Sequence, residues 1–240
     1  MISVVIPAKD ELENIKPLVE EIYSALTDLS DFEIIYVDDG STDGTFDEIS
    51  RLKNNGFPAF RALKHKESVG QSTAIFDGIK AAKGELIVTL DADGQNNPIN
   101  IPAMFKKAQQ FPTGSHFCIA GYRKNRKDTA WYRLQSRIAN KVRASILDDG
   151  TPDTGCGLKI FPRDTFLQLP YFDHMHRYIP ALIKRLEGKI VVVEVDHRDR
   201  QAGVSKYDMW GRLWVGLVDM WAVRWLQKRA KISTIIDTLD

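Results

Sequence analysis

Short apolar, β-branched runs that stop abruptly at acidic, glycine-bearing turns constrain this chain more than any other feature. Phe32-Glu33-Ile34-Ile35-Tyr36-Val37 ends in Asp38-Asp39-Gly40-Ser41-Thr42-Asp43-Gly44, and Glu85-Leu86-Ile87-Val88-Thr89-Leu90 ends in Asp91-Ala92-Asp93-Gly94-Gln95. Such runs read as strands buried on both faces, the pattern of parallel sheets covered by helices. A first strand at 2–6, an amphipathic helix at 15–26, a helix capped by Thr42-Asp43 and running to about 53, a short strand at 62–63, a turn at 68–72 and a helix at 73–82 complete a βαβαβ rhythm. Open parallel sheets bind ligands beyond the carboxyl ends of their strands. Both acidic clusters therefore fall where a site belongs.

The pattern changes after Gln95. A helix at 98–110, a strand at 118–121, a long amphipathic helix at 129–147, a loop at 149–157, a strand at 158–161, a helix at 177–186 and a strand at 190–195 follow. The fold class is α/β: a mixed, mostly parallel sheet flanked by helices, with a C-terminal amphipathic helix. Residues 1–206 read as one domain, and 207–240 as a Trp-rich helix and tail. With 240 residues the chain can bury a substantial core. Lys and Arg total 33 against 32 Asp and Glu, a formal net charge of +1, so no global field attracts nucleic acid. Cys118 and Cys156 lack metal-ligand spacing and suit buried thiols in a reducing compartment. Met1 leads directly into the first strand, which argues for a cytoplasmic protein.

Carboxylates one residue apart, as in Asp91-Ala92-Asp93, point the same way from an extended backbone and can share a hard divalent cation such as Mg²⁺ or Mn²⁺ with diphosphate oxygens. A lone Asp-X-Asp also describes a solvated turn, and the Asp38–Gly44 segment also describes a helix-capping turn. The preceding strands and the presence of both clusters favour a ligand. Arg123, Lys124, Arg126, Lys127, Arg133, Arg137, Lys141 and Arg143 crowd a stretch holding one acid, Asp128. Lys124, Lys127 and Lys141 suit a solvated helix face, whereas Arg123 and Arg137 suit phosphate, which guanidinium binds bidentately. His174-Met175-His176 has no third metal ligand nearby and suits a structural or acceptor-site role. Cys156 has no paired base and suits a small buried thiol.

Ile6-Pro7-Ala8-Lys9-Asp10-Glu11, Val37-Asp38-Asp39-Gly40-Ser41-Thr42-Asp43-Gly44 and Leu90-Asp91-Ala92-Asp93-Gly94-Gln95 together resemble family 2 glycosyltransferases of the GT-A fold, and among them the polyprenyl-phosphate glycosyltransferases. Gly121-Tyr122-Arg123, Ser136-Arg137, Asp153-Thr154-Gly155-Cys156-Gly157 and His197-Arg198-Asp199-Arg200 through Lys206 extend the resemblance over nearly the whole chain. It implies that Pro7, Ala8, Glu11, Val37 and Asp39, with Asp38 and Ala92 beside them, hold the nucleoside of a nucleotide-diphosphate sugar. Asp91, Asp93 and Gln95 would serve the metal and diphosphate, with Asp93 also catalytic. Arg123, Arg137, Arg200 and Lys206 would meet the acceptor and donor phosphates. The implied reaction is inverting, metal-dependent transfer of a sugar to a polyprenyl phosphate at the cytoplasmic membrane face. Lys9-Asp10 and Gly94 depart from the family's usual Tyr-Asn and Leu, so base and sugar stay unassigned.

A soluble saccharide or protein acceptor is the alternative within enzymes, but it would require a base. A phospho-acceptor signalling module is the alternative outside them, but such modules are shorter. In the tail, Trp210, Trp214, Leu217, Trp221 and Trp225 share a helical stripe, with Arg224, Lys228, Arg229 and Lys231 clustered late. That stripe fits packing on the domain, a second subunit of a homo-oligomer, or peripheral attachment to a membrane surface. The lipid acceptor implied by the resemblance tilts the reading to the membrane.

Overall fold

All seven residues of β1 (Ile2–Ala8) are buried, as a central strand with helices on both faces requires. The computed structural model describes residues 1–29, 31–54, 56–57, 59–123, 143–196, 198 and 209–231, with side chains from 215 onward in the last stretch. Strand β1 pairs in parallel with β2 (Phe32–Asp38) and with β4 (Leu86–Thr89), and β2 pairs in parallel with β3 (Phe60–Lys64). Strand β6 (Lys159–Pro162) lies antiparallel between β4 and β5 (Phe117–Tyr122), and β7 (Lys189–Glu194) continues parallel to β5. The seven-stranded order is β3-β2-β1-β4-β6-β5-β7. Only β6 runs against the rest, giving the mixed, mostly parallel sheet that the alternating pattern predicts.

Because side chains alternate faces along a strand, Val4 and Ile6 pack one layer and Val5 the other. The first layer receives α1 (Leu12–Leu26) and α4 (Ile101–Ala108) through Ile15, Leu18, Ile22 and Met104. Helix α2 (Thr45–Asn54) adds Ile49 and Leu52 to it. The second layer receives α3 (Gln71–Ala81), α5 (Arg163–Leu167), α6 (Ile179–Arg185) and α7 (Met209–Lys228) through Ile75, Phe166, Leu182 and Val223. Helix α3 lies so close to the sheet that a Cβ at Gly78 would come 2.5 Å from Val5 Cγ1. The expected helices at 98–110 and 177–186 each begin instead as a 3₁₀ turn, at Pro98–Asn100 and Met175–Arg177. Of the expected helix at 129–147, only a helical turn at 143–147 lies within the described residues.

Helix α7 corrects one reading of the Trp stripe. Its inner face is Met220 and Val223, 5% and 0% exposed, anchored where Gln227 Nε2 donates to the carbonyls of Leu147 and Ala181. Trp221 and Trp225 face outward at 65% and 58% exposure, beside Leu217 and Val218. They do not pack on this domain. The side chains of Trp210 and Trp214 lie outside the described residues.

At the amino-end edge of the sheet, buried Glu33 closes a network that ties three strands to the β4 entry. Ser3 Oγ and the Lys83 amide donate to its Oε1 at 2.7 and 2.6 Å, and Arg61 Nη1 donates to Oε2 at 3.0 Å. Burial pushes its pKa up, but the bonds from Lys83, Ser3 and Arg61 outweigh that and hold it below the ordinary 4.5. The stability this contributes is therefore present above that ordinary value and lost as pH falls through the lower native one. Glu33→Gln is expected to lower unfolding free energy at pH 7 by about 1–3 kcal/mol and to flatten the acid loss of stability, both measured by urea denaturation at several pH values.

Candidate active site

The register Ala8↔Asp38 brings the end of β1 level with the acidic end of β2, so the two loops meet edge to edge. Much of their polarity is spent on joining them. The Asp10 amide donates to Ser41 Oγ at 2.9 Å, the Thr42 amide to Asp10 Oδ1 at 2.8 Å, and the Glu11 amide to Thr45 Oγ1 at 2.9 Å. Asp43 caps α2 by accepting from the Thr45 amide at 2.9 Å, as the helix-start signal predicts. Pro7, Ala8 and Val37 are buried strand-end residues, and Glu11 holds Asn14 Nδ2 at 2.7 Å. Asp38 is fully buried: its Oδ1 accepts from the Ser41 amide, and its Oδ2 meets no hydrogen-bond donor. It lies beneath the surface a ligand could touch.

Asp39 is the hub of this edge. Its Oδ1 accepts from His65 Nδ1 at 2.8 Å and the Val69 amide at 2.9 Å, while its Oδ2 accepts from Ser68 Oγ at 2.7 Å and the Gly70 amide at 3.0 Å. Two oxygens with two lone pairs each are thereby filled. Burial pushes its pKa up, but the bonds from His65, Val69, Ser68 and Gly70 prevail and hold it below the ordinary carboxylate value. His65 Nε2 faces Asp77 Oδ2 at 3.2 Å. Asp39 thus fixes the 65–70 loop, a role the strand-end pattern does not reveal.

The second cluster lies on the same edge, because the neighbour of Gly70 reaches it: Gln71 Nε2 donates to Asp91 Oδ1 at 2.9 Å. The Asp91 carboxylate rests on Gly157, where a Cβ would come 2.2 Å from Oδ2. Burial, then the charge of Asp93, push its pKa up to about 6, against the opposing pull of Lys159, Arg123 and Gln71. Gln95 enters through its backbone, its amide on Asp93 Oδ1 at 3.1 Å and its carbonyl accepting from the Arg198 amide. The neighbouring Asn96 is 1% exposed, and its Oδ1 lies 3.4 Å from the Asp91 amide. Ala92 is buried between the two acids.

A buried carboxylate with a second acid beside it suits a hard divalent cation, which would relieve the repulsion. Among the described residues no three His, Cys, Asp or Glu side chains group to hold a metal by themselves. Such an ion would draw further oxygens from a ligand.

Arg123 is engaged by Asp153 in a two-pronged pair, Nε to Oδ2 at 2.6 Å and Nη2 to Oδ1 at 2.8 Å, with the Asp153 partnership raising its pKa despite burial. It still lies close enough to act on the Asp91 charge. Arg137, Arg200 and Lys206 lie outside the described residues. Arg198 grips Glu21 through both terminal nitrogens at 2.8 and 2.7 Å, pinning the chain after β7 to α1. Arg143 is buried against Asp149 and Thr151, so this member of the basic stretch is structural. His176 is half-buried with Nδ1 on Ser72 Oγ at 2.7 Å, and Cys156 is a buried thiol whose pKa burial pushes up. Sequence reading missed Gln71, Asn96 and Lys159. The last, a charge 4% exposed within an apolar strand, is the one that carried a signal.

Residues 3–169 match glycosyl transferase family 2. The chain belongs to this family. Similar curated proteins include dodecaprenyl-phosphate galacturonate synthase of Rhizobium johnstonii, 35% identical over 210 residues that cover 86% of this chain and 61% of that one. Undecaprenyl-phosphate 4-deoxy-4-formamido-L-arabinose transferase of Pseudomonas syringae pv. syringae is 32% identical over 207 residues, covering 86% of this chain and 60% of that one. The chain thus spans about three-fifths of the length of these relatives. Among solved structures, glucosyl-3-phosphoglycerate synthase from Mycobacterium tuberculosis with Mn²⁺, UDP and glucosyl-3-phosphoglycerate superposes with a TM-score of 0.65 at 21% identity, covering 98% of this chain and 81% of that one. That likeness establishes the GT-A fold.

Replacing the Asp39 carboxylate by an amide turns one acceptor into a donor that faces the donors around it. Asp39→Asn is therefore expected to cost about 2–4 kcal/mol, read as a lowered midpoint in urea denaturation.

Proposed function

We propose that this family 2 glycosyltransferase moves a sugar from a nucleotide-diphosphate donor to a polyprenyl phosphate at the cytoplasmic face of a membrane, with inversion. The observation that carries the reading is the Asp91–Asp93 pair at the carboxyl-end edge, its charges in conflict and Asp91 bordered by Lys159 and Arg123. Two of the most similar curated proteins are named for transfer to polyprenyl phosphates, which supports the acceptor class.

Pro7, Ala8 and Val37 would flank the base, with Glu11 and Asp39 holding the loops that frame it. Asp91 and Asp93, joined by Gln95, would hold Mg²⁺ or Mn²⁺, an ion that offsets charge on a departing nucleoside diphosphate when bound. A phosphate monoester is already anionic at neutral pH and needs no base to become a nucleophile. What remains for the protein is to bring two anions together and aim them. Arg123, with Arg137, Arg200 and Lys206, would supply that compensation, since cationic side chains near developing and approaching charge lower the barrier. A single in-line displacement inverts the sugar centre.

The outward face of α7 supports peripheral attachment. Val218, Trp221 and Trp225 line it at helical spacing, and Arg229 lies 5.7 Å from the Trp225 ring. Aromatic side chains next to Arg and Lys suit the interface of an anionic bilayer. No helix among the described residues is long and apolar enough to cross a membrane.

Incubation with UDP- and GDP-sugars, Mn²⁺ and undecaprenyl phosphate in vesicles is expected to yield a glycosylated lipid phosphate. Transfer only to soluble saccharides or phosphorylated small molecules would overturn the acceptor assignment. Asp93→Ala should abolish transfer with thermal stability retained, and full activity with added Mn²⁺ would refute its role. Replacing Trp221 and Trp225 together by Ala should weaken flotation with anionic vesicles by about tenfold.

A further inference from the structure

Each residue at the start of α3 bonds outside the helix, to a different part of the chain. The Gly70 amide reaches Asp39 Oδ2 at 3.0 Å, Gln71 Nε2 reaches Asp91 Oδ1 at 2.9 Å, Ser72 Oγ meets His176 Nδ1 at 2.7 Å, and Thr73 Oγ1 meets Tyr171 Oη at 2.7 Å. Three of these four bonds bind the helix to loops, and any polar residue of suitable length could serve that end. The Gln71 bond differs in its target, because Asp91 stands on the turn that carries the acid pair.

We propose that Gln71 is a positioning residue for Asp91: its amide fixes the orientation of that carboxylate and so sets the cation-dependent part of nucleoside-diphosphate binding. The inference rests on the donor reading given above. Asp91 is otherwise steadied by a 3.4 Å contact from its amide to Asn96 Oδ1 and by the Gly157 backbone beneath it. Gln71 on one side and Gly157 on the other confine the carboxylate plane. The chemical type of the donor matters too. An amide donates a hydrogen bond without carrying charge, so it steadies Asp91 without repelling a cation, whereas Lys or Arg at position 71 would compete with one. Groups that orient metal-binding carboxylates in this way typically govern about 10–100-fold in metal affinity.

The test measures binding of UDP and of GDP to the full chain by calorimetry, once with Mn²⁺ and once with EDTA, for the parent, Gln71→Met, Gln71→Ala, Ser72→Ala and Asp93→Ala. Gln71→Met preserves shape and removes the donor. It should weaken Mn²⁺-dependent binding about tenfold and leave binding in EDTA unchanged, and Gln71→Ala should do the same if the Met variant fails to fold. Ser72→Ala breaks the adjacent bond in the same turn, so it should lower the melting temperature while keeping the parent's ratio of affinities with and without Mn²⁺. An unchanged ratio in both Gln71 variants, or an equal loss in both arms, overturns the proposal. If Asp93→Ala loses the Mn²⁺ dependence while Gln71→Met keeps it, the Gln71 assignment alone fails. If neither nucleotide binds the parent under either condition, the donor reading fails and takes this inference with it.

Discussion

Negative charge concentrated on one edge of a buried sheet is the constraint around which the rest of the structure is arranged. Asp38, Asp39, Asp91, Asp93 and Asp153 all follow strands or face their carboxyl ends, and each must be compensated or stay costly. Asp39 is satisfied by four donors and Asp153 by a two-pronged Arg123. Asp91 is the exception. Burial, with the Asp93 charge adding to it, pushes the Asp91 pKa up to about 6 despite two nearby cations and the Gln71 amide. Proteins tolerate such local conflict chiefly where function requires it.

The opposite edge makes the contrast plain. There Glu33 is 6% exposed, but Ser3, Lys83 and Arg61 complete its bonding and bring its pKa down rather than up. The same residue class is thus a closed stabilising node at one end of the strands and an unresolved charge at the other. The difference arises from direction: parallel strands present all their carboxyl ends together, and loops there can diverge without breaking the sheet.

Strand and helix order in the first hundred residues was legible because apolar runs and turn residues carry strong local signals. The direction of β6 was not, since four residues flanked by glycine and proline look alike whichever way they run. Lys159 is the partial exception, a charge that burial in an apolar strand makes conspicuous. Gln71 and Asn96 were invisible for another reason: a polar residue in a turn reads as solvated until the fold supplies its partner, here Asp91, twenty positions away along the chain for Gln71. The Trp stripe of α7 shows the limit of periodicity. Spacing groups Trp221 with Trp225 but assigns them no neighbour, and the core takes Met220 and Val223 instead.

A short segment, 174–178, bonds both to helix α7 and to the first turn of α3. Asp219 faces His174 Nδ1 at 3.5 Å and the Gly216 carbonyl accepts from Tyr178 Oη at 2.9 Å, while His176, between those two positions, holds Ser72 on the first turn of α3. The exposed Trp residues and the Asp91 carboxylate are therefore separated by packed, hydrogen-bonded elements, not by a loose linker. For a lipid-linked acceptor this matters physically. A phosphate headgroup sits at a nearly fixed depth in the interface, so an enzyme resting on that interface can meet it without extracting the lipid only if its site is held at a constant height above its membrane-facing surface. On the proposed function, the segment at 174–178 would set that height.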